Sequence, residues 1–322
     1  MIKELSIEIT RKCPNMCVHC SSMSSYSCTE LITLGKFKEI IDSALTLGLE
    51  TVCFSGGEPF LHPNIIEMID YVYSSGLQSY VYTSGIFVDS NNKRESIAED
   101  VLSQISSKVT KIIINVEASE ENTYNKIMGS VGCFQLMKKT IELAVSLGIV
   151  VEGHFVPMKY NMDQIESTLR MCSDLGVSKV SFLRLVVHGR ALYHKESIVL
   201  NDEEYTKIEN LLKNIYETNK YPIRIGVPLK GESSDIHCEA ANGKINIRYD
   251  GKVFPCEVFK NNCVGILSSI EPDSIYRSDF ASIYRDSIYL KHVRKMVSDF
   301  SCRDCCENCV GQYYMKISEE GK

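Results

Sequence analysis

The chain has 322 residues, of which 44 % are hydrophobic and 24 % are charged, and its formal net charge is −6 at pH 7. This composition is typical of a globular protein, and no block of lysine and arginine favours nucleic-acid phosphates or anionic lipid as partners. The start of the chain has no apolar core of signal-peptide length, and no run reaches about 18 apolar residues, so we expect neither export nor membrane anchoring, but a cytoplasmic location.

Short apolar runs alternate with amphipathic segments from residue 3 to about residue 230. The apolar runs, which we predict to be strands, read IEIT, ETVCFSG, SYVYTSG, KIIINVEA, IVVEGHFVPM, KVSFLRLVV and PIRIGV. The amphipathic segments predict helices over residues 36–47, 63–75, 132–147, 161–174 and 202–217. This alternation predicts an α/β fold with a parallel sheet, and six or so units indicate a partial, TIM-like (β/α)6 barrel. In such barrels the chemistry lies at the C-terminal ends of the strands.

The pattern changes after Pro228. The segment KINIRYDGKVFPCEV predicts a hairpin with Asp250 and Gly251 in its turn, and a helix is predicted over residues 284–298. The rest of this region has little regular pattern and is dense in cysteine. We therefore expect a barrel over residues 1–228 and a small metal-stapled domain over residues 229–322.

Three cysteines follow the first predicted strand in the spacing C-x-x-x-C-x-x-C, as Cys13, Cys17 and Cys20. The chain has 14 cysteines, and in a reducing compartment their clustering favours metal or redox chemistry over a disulfide framework. A closed zinc site needs a fourth ligand, and His19 lies between two of the cysteines with poor geometry for joining. Three thiolates can instead hold three irons of a 4Fe-4S cluster and leave the fourth iron open. Zinc-binding or incidental cysteines are the alternative.

The second predicted strand ends in SGGEP, in which Gly56 and Gly57 permit close backbone approach and Glu58 offers an acceptor for an ammonium group. Together with the cysteine motif, SGGEP closely resembles the radical S-adenosylmethionine (radical SAM) superfamily. The resemblance implies that the three cysteines hold a 4Fe-4S cluster, whose open iron binds S-adenosylmethionine. It also implies that the loop from Gly56 to Pro59 binds the methionine amino group. The cofactor would then be reductively cleaved to a 5′-deoxyadenosyl radical that abstracts a substrate hydrogen.

Further strand ends supply candidate contacts to the cofactor through the same resemblance. Thr83 and Ser84 in YTSG resemble the family's contacts to the ribose or carboxylate of S-adenosylmethionine. Asn115 replaces the usual serine on the fourth strand. Arg184, in FLRLVVHGRA, is expected to point into the barrel and pair with a carboxylate, or to be an exposed strand-end arginine. His154 is expected to pack in the barrel wall rather than face the cavity.

The C-terminal cysteines form a second pattern. Cys238, Gly251 and Cys256 stand in the frame C-x12-G-x4-C, which resembles the opening of SPASM and Twitch domains. The segment SCRDCCENCVG adds two C-x-x-C pairs. We expect at least one auxiliary 4Fe-4S cluster, and a zinc ribbon fits the spacing equally well. The expected ligands are Cys238, Cys256, Cys302 and Cys305, and the alternative ligands are Cys263, Cys306 and Cys309.

The resemblance implies a radical SAM enzyme, and among the reactions of its relatives we favour modification of a ribosomally made peptide by a crosslink, a thioether or an epimerisation. The alternative substrate is a small metabolite, namely a sugar, a nucleoside or an amino acid, that is oxidised or rearranged. An electron donor such as flavodoxin or ferredoxin is implied as a partner. A different class of protein, a non-catalytic iron-sulfur or zinc module, is the third possibility. The residues do not identify a catalytic side chain beyond the cofactor sites.

Overall fold

The computed structural model describes residues 1–226, 238–262, 265–300 and 309–320. Eleven strands are present in these ranges: β1 (Glu4–Thr10), β2 (Thr51–Gly56), β3 (Gln78–Thr83), β4 (Ile86–Val88), β5 (Arg94–Ser96), β6 (Lys111–Asn115), β7 (Val151–Phe155), β8 (Lys179–Phe182), β9 (Ile223–Ile225), β10 (Lys244–Ile247) and β11 (Val253–Phe254). Nine of them form one sheet in the order β11-β10-β1-β2-β3-β6-β7-β8-β9, and β4 pairs with β5 in a separate hairpin. All neighbours in the large sheet are parallel except β10 and β11.

Eleven α-helices lie in the same described ranges: α1 (Leu34–Leu45), α2 (Ile65–Ser74), α3 (Glu99–Ile105), α4 (Glu121–Met128), α5 (Cys133–Ser146), α6 (Ile165–Asp174), α7 (Arg190–Ile198), α8 (Asp202–Glu217), α9 (Phe280–Asp286), α10 (Ile288–Asp299) and α11 (Val310–Glu320). Each of the five helices predicted in the barrel is present. The helix predicted over 284–298 is instead two helices, because the Ser287 side chain accepts a hydrogen bond from the Leu290 N–H at 3.1 Å and so begins α10.

The strand β1 shows how the sheet separates a core from a cavity. Leu5, Ile7 and Ile9 are fully buried and belong to the main hydrophobic core. The alternate residues Ser6 and Glu8 point to the other face and line a cavity inside the barrel. Because strand side chains alternate, one short segment supplies both packing and a polar inner wall.

The partial (β/α)6 barrel predicted from the alternation of strands and helices is confirmed. The hairpin expected at Asp250–Gly251 also forms, between β10 and β11. Its first strand pairs in parallel with β1, with Leu5 opposite Ile245, so the hairpin extends the barrel sheet. In the part of the chain that the structure describes, no helix is long and apolar enough to cross a membrane.

Candidate functional site

A cavity of about 460 Å³ opens at the carboxyl ends of the parallel strands. It brings together eight of the residues that the sequence singled out: Cys13, Cys17, Cys20, Gly56, Gly57, Thr83, Ser84 and Asn115. These residues follow or end β1, β2, β3 and β6, as expected for a barrel whose site lies at the strand ends. Glu58, Pro59 and Arg184 are not among the residues that line this cavity.

Hydrogen bonds from residues distant in sequence hold the backbone of the cysteine loop, residues 13–20. The Arg190 guanidinium donates to the Cys17 carbonyl at 2.9 Å and to the Ser24 carbonyl at 2.6 Å. The backbone N–H of Arg190 donates to the Cys20 carbonyl at 2.9 Å. Gly189 has a φ of +54°, and a Cβ there would lie 2.4 Å from the Ser21 carbonyl oxygen, so only glycine permits this approach. The loop is therefore preformed.

The three cysteines present a donor set suited to a cationic iron cluster. None of them forms a disulfide. Burial raises the pKa of the Cys13 and Cys17 thiols, and the negative charge of neighbouring cysteines raises the pKa further. Three crowded thiolates without a cation are electrostatically unfavourable, and bound iron would remove that cost because coordinating thiols are deprotonated outright. The residues present thus fit a thiolate-ligated cluster.

Three residues that line the cavity have polar atoms without hydrogen-bond partners among the described residues. Asn15 Nδ2, His19 Nδ1 and Ser24 Oγ are buried with no hydrogen-bond partner among the described residues, and all three residues line the cavity. Buried polar groups are normally satisfied, so unpaired groups at a cavity wall indicate a site for a polar ligand. A ligand with hydrogen-bond acceptors would pair with the amide of Asn15 and the hydroxyl of Ser24.

Glu58 is fully buried, and its carboxylate is already saturated. Thr83 Oγ1 donates to Oε1 at 2.6 Å, and Ser84 donates to Oε2 through both its N–H, at 2.8 Å, and its hydroxyl, at 2.6 Å. The Phe60 N–H donates to Oε1 at 3.3 Å. Burial nevertheless raises the pKa of Glu58. The expectation that this side chain offers an open acceptor for an ammonium group is therefore corrected: it positions Thr83 and Ser84.

The two glycines of SGGEP are required by the close approach of the backbone that leads into the cysteine loop. A Cβ on Gly57 would lie 2.2 Å from the Lys12 carbonyl oxygen, and one on Gly56 would lie 2.3 Å from the Thr10 carbonyl oxygen. The Gly57 N–H donates to that Thr10 carbonyl at 2.7 Å. The end of β2 thus packs directly on the segment that leads into the cysteines.

Glu117 forms a buried polar group with Asn115 and His19. The Asn115 amide donates to Glu117 Oε1 at 3.2 Å, and the Val156 N–H donates to Oε2 at 2.9 Å. His19 Nε2 lies 3.6 Å from Oε1. Burial raises the pKa of Glu117 to about 7 and lowers the pKa of His19 to about 4. At neutral pH the imidazole is therefore uncharged, and Glu117 is close to half protonated.

The C-terminal cysteines are described only in part. Three of these cysteines interact electrostatically: the charges of Cys309 and Cys238 add to burial in raising the pKa of Cys256. Arg184, expected either inside the barrel or exposed at the strand end, is partly buried outside the cavity, with its guanidinium 6.0 Å from the Tyr205 ring. The remaining predicted ligands fall outside the described residues: Cys263, Cys302, Cys305 and Cys306.

Sequence reasoning missed several residues of the site. Arg190 stands in the same GRA segment that drew attention to Arg184, and the segment alone did not distinguish the two arginines. His154 lines the cavity rather than packing in the wall, and its ring lies 5.3 Å from that of Tyr82. Glu8 and Lys260 form a buried ion pair at the cavity wall. No local sequence signal could have identified that pair, because the two residues meet only in the folded chain.

A protein-family model described as the radical SAM superfamily matches residues 7–172. Among curated proteins, the antilisterial bacteriocin subtilosin biosynthesis protein AlbA of Bacillus subtilis (strain 168) is 26 % identical over 276 residues, which cover 85 % of this chain and 59 % of AlbA. The AdoMet-dependent heme synthase of Methanosarcina barkeri (strain Fusaro / DSM 804) is 23 % identical over 274 residues, which cover 77 % of this chain and 75 % of the synthase. The chain thus spans less than two thirds of the length of AlbA.

Among solved structures, Streptococcus suis SuiB bound to S-adenosylmethionine aligns with a TM-score of 0.73 at 13 % identity, over 92 % of this chain and 68 % of SuiB. SuiB bound to the precursor peptide SuiA aligns with a TM-score of 0.72 at 13 % identity, over 94 % of this chain and 68 % of SuiB. At this identity the similarity establishes the fold.

Proposed function

Because the radical SAM model matches residues 7–172, this chain belongs to the radical SAM superfamily, and we propose that it is an enzyme that cleaves S-adenosylmethionine reductively. One observation carries the proposal: Cys13, Cys17 and Cys20 share a cavity with the Gly56–Gly57 loop end. When bound there, a 4Fe-4S cluster and S-adenosylmethionine would supply a 5′-deoxyadenosyl radical that abstracts a substrate hydrogen.

The chain's own residues would bind and orient the cofactor. The three thiolates would hold the cluster, and Arg190 fixes the cysteine segment through its hydrogen bonds to the Cys17 and Ser24 carbonyls. Thr83 and Ser84 line the cavity with hydroxyls that Glu58 holds in position, and Asn115 lines it on the β6 side. Since the Glu58 carboxylate is saturated, the backbone of Gly56 and Gly57 is the part of SGGEP left to meet the methionine amino group.

A ribosomally made peptide is the substrate that we favour, modified by a crosslink, a thioether or an epimerisation. Two relatives support this: AlbA is a bacteriocin biosynthesis protein, and SuiB was solved with a precursor peptide. The alternative is radical chemistry on a small metabolite, and similarity to the heme synthase favours it. In either case an electron donor such as flavodoxin or ferredoxin and a reducing compartment such as the cytoplasm are required.

The C-terminal region, residues 229–322, is proposed to hold at least one auxiliary 4Fe-4S cluster of the SPASM or Twitch type. The electrostatic interaction of Cys309 with Cys238 and Cys256 supports a thiolate-rich site at this end of the chain. It also makes Cys309, at first an alternative ligand, a leading candidate. Cys302 and Cys305 remain the proposed partners.

The test is anaerobic reconstitution with iron and sulfide, followed by reduction with dithionite in the presence of S-adenosylmethionine. We expect 5′-deoxyadenosine and methionine from the wild type and neither product from Cys13→Ala, Cys17→Ala or Cys20→Ala. These variants should lose the iron of one cluster and keep the C-terminal iron. Cys172→Ala, which removes a buried free thiol from α6, is the matched control and should stay active. A wild type loaded with iron that yields no 5′-deoxyadenosine would contradict the enzyme assignment.

The substrate class is tested separately. A short peptide encoded beside this gene should raise the rate of 5′-deoxyadenosine formation and return with a changed mass. The loss of two hydrogens would indicate a crosslink or a thioether. Incorporation of one solvent deuterium without another mass change would indicate epimerisation. An unmodified peptide and an unchanged rate would favour a small metabolite.

A further inference from the structure

A buried ion pair, joined by a half-exposed glutamate, lies against the inner face of β1, in the same cavity as the cysteines. Glu8, 1 % exposed, pairs through Oε1 with Lys260, which is 2 % exposed. Ser22 Oγ donates to the same Glu8 oxygen at 2.9 Å, and Lys260 Nζ also lies 2.9 Å from Glu257 Oε2. We call Glu8, Glu257 and Lys260 the acidic pocket, and all three line the cavity.

The second oxygen of Glu8 lacks a partner. Glu8 Oε2 is buried and has no hydrogen bond to any residue that the structure describes. Asn246, opposite Ser6 in the parallel pairing of β1 and β10, shows the same feature: its amide nitrogen donates to Glu257, and its Oδ1 has no described partner. An unmet buried acceptor is unfavourable, because the hydration that it loses on folding is not replaced. Because Glu8 lines the cavity, its unmet acceptor indicates that a ligand supplies the hydrogen-bond donor.

The charges of the acidic pocket do not balance. Lys260 is shared by two carboxylates, and although burial lowers its pKa, the charges of Glu257 and Glu8 outweigh that effect and raise it, so Lys260 is cationic. Arg248 is already paired with Asp250 at 2.9 and 2.6 Å. Burial lowers the pKa of His188, which faces Lys260, to about 4, so this side chain is neutral. Among the described residues, these two carboxylates and one ammonium leave a net charge of −1, which solvent screens at the half-exposed Glu257 and a ligand cation would neutralise at the buried Glu8.

We infer that the acidic pocket binds a primary ammonium group of the substrate, with Glu8 Oε2 as its acceptor. This inference deepens the proposed function, on which it rests, because it names a feature of the peptide: a lysine side chain or a free N-terminal amine. An ammonium group has three donors and one positive charge, which match the free acceptor and the excess negative charge. Since Glu8 shares the cavity with Cys13, the bound ammonium would anchor the substrate beside the cofactor site.

The test measures binding of three capped or free tripeptides to the iron-loaded holoenzyme by anaerobic titration calorimetry. The probes are acetyl-Ala-Lys-Ala-amide, Ala-norleucine-Ala-amide with a free amine, and acetyl-Ala-norleucine-Ala-amide, which is neutral. We expect at least one cationic probe to bind about 10-fold more tightly than the neutral probe. The tighter of the two cationic probes identifies the source of the ammonium group. Equal affinity for all three probes in the wild type overturns the inference, whether or not any variant folds.

Two variants on the same strand sharpen the test. Glu8→Gln should abolish the preference for the cationic probe. Glu4→Gln, the matched control, removes another carboxylate of the cavity wall, but one already paired with Lys244 at 3.4 Å, so the preference should persist. A preference that survives in Glu8→Gln also overturns the inference. Formation of 5′-deoxyadenosine is measured in parallel: if it forms and the cationic preference is absent, the inference fails and the proposed function stands, whereas a wild type that forms none contradicts the proposed function.

Discussion

The guanidinium of Arg190 donates a hydrogen bond to the backbone carbonyl of Cys17 at 2.9 Å, although the two residues are 173 positions apart. A second bond reaches the Ser24 carbonyl at 2.6 Å, so one planar side chain fixes two points of the segment that carries the cysteines. Arginine suits this role because its donors are held in a rigid fork.

Arg190→Lys should therefore loosen the cysteine loop. A lysine has one nitrogen and cannot meet both carbonyls in this geometry. We expect 5′-deoxyadenosine formation to fall about 10-fold or more and the iron content of the N-terminal cluster to fall with it. Arg184→Lys, in the same segment but outside the cavity, should retain both. Equal activity of Arg190→Lys and wild type would show that the loop does not depend on this contact.

Gly57→Ala should disrupt the junction between β2 and the cysteine loop. The added methyl would lie 2.2 Å from the Lys12 carbonyl oxygen, which is backbone and cannot move aside cheaply. We expect the free energy of unfolding to fall by about 2 kcal/mol or more, together with cofactor cleavage. Gly35→Ala is the control, since nothing lies within 4 Å of its Cβ position in helix α1. It should leave stability unchanged or raise it by up to about 1 kcal/mol. Urea denaturation of the two variants checks both values.

Glu58→Gln should destabilise the site, although the two side chains have the same shape. A glutamine has one acceptor oxygen, so its amide group would face either Thr83 Oγ1 and the Phe60 N–H or the two donors of Ser84. Leaving buried donors unmet costs about 1–3 kcal/mol each. Glu67→Gln on the exposed face of α2 is the control, and we expect a change within about 0.5 kcal/mol. Similar unfolding free energies for both variants would refute the account of Glu58 as a positioning residue.

Glu117 predicts a specific pH dependence of stability. Burial raises its pKa from 4.5 to about 7 in the folded protein, so its contribution is present below pH 4.5 and is lost as the pH rises to about 7. Glu117→Gln mimics the protonated form. The free energy of unfolding of the variant, minus that of the wild type, should rise by about 2–3 kcal/mol from pH 5 to pH 8.

The variant is compared with the wild type because His19 changes the free energy of unfolding with pH in the opposite direction. Its pKa is lowered to about 4, so its contribution to stability grows between pH 4 and its usual pKa of 6.5. Subtracting the wild-type free energy of unfolding at each pH removes the contribution of His19. A pH-independent difference between the two proteins would show that Glu117 is ionised throughout the range.

The order of the barrel elements and the motif residues at its strand ends could be predicted from sequence, because both are local signals. Alternation of apolar runs with helical periodicity predicted the parallel sheet, and five helices appear where periodicity placed them. Helices α3, α4 and α7 of the barrel were missed, since a short helix leaves few periodic positions. The ligand roles of Cys13, Cys17 and Cys20 remain predictions, although the structure places these residues around one cavity.

Sequence alone determined that three thiols crowd a strand end and that two glycines end the next strand, because spacing along the chain is covalent. Only the tertiary structure decided which partners those residues meet. Glu58 proved to be saturated by Thr83 and Ser84, and Glu8 proved to share its charge with Lys260, 252 positions away. The physical reason is that hydrogen bonds and ion pairs depend on distances that arise when the sheet curves and the β10–β11 hairpin joins β1.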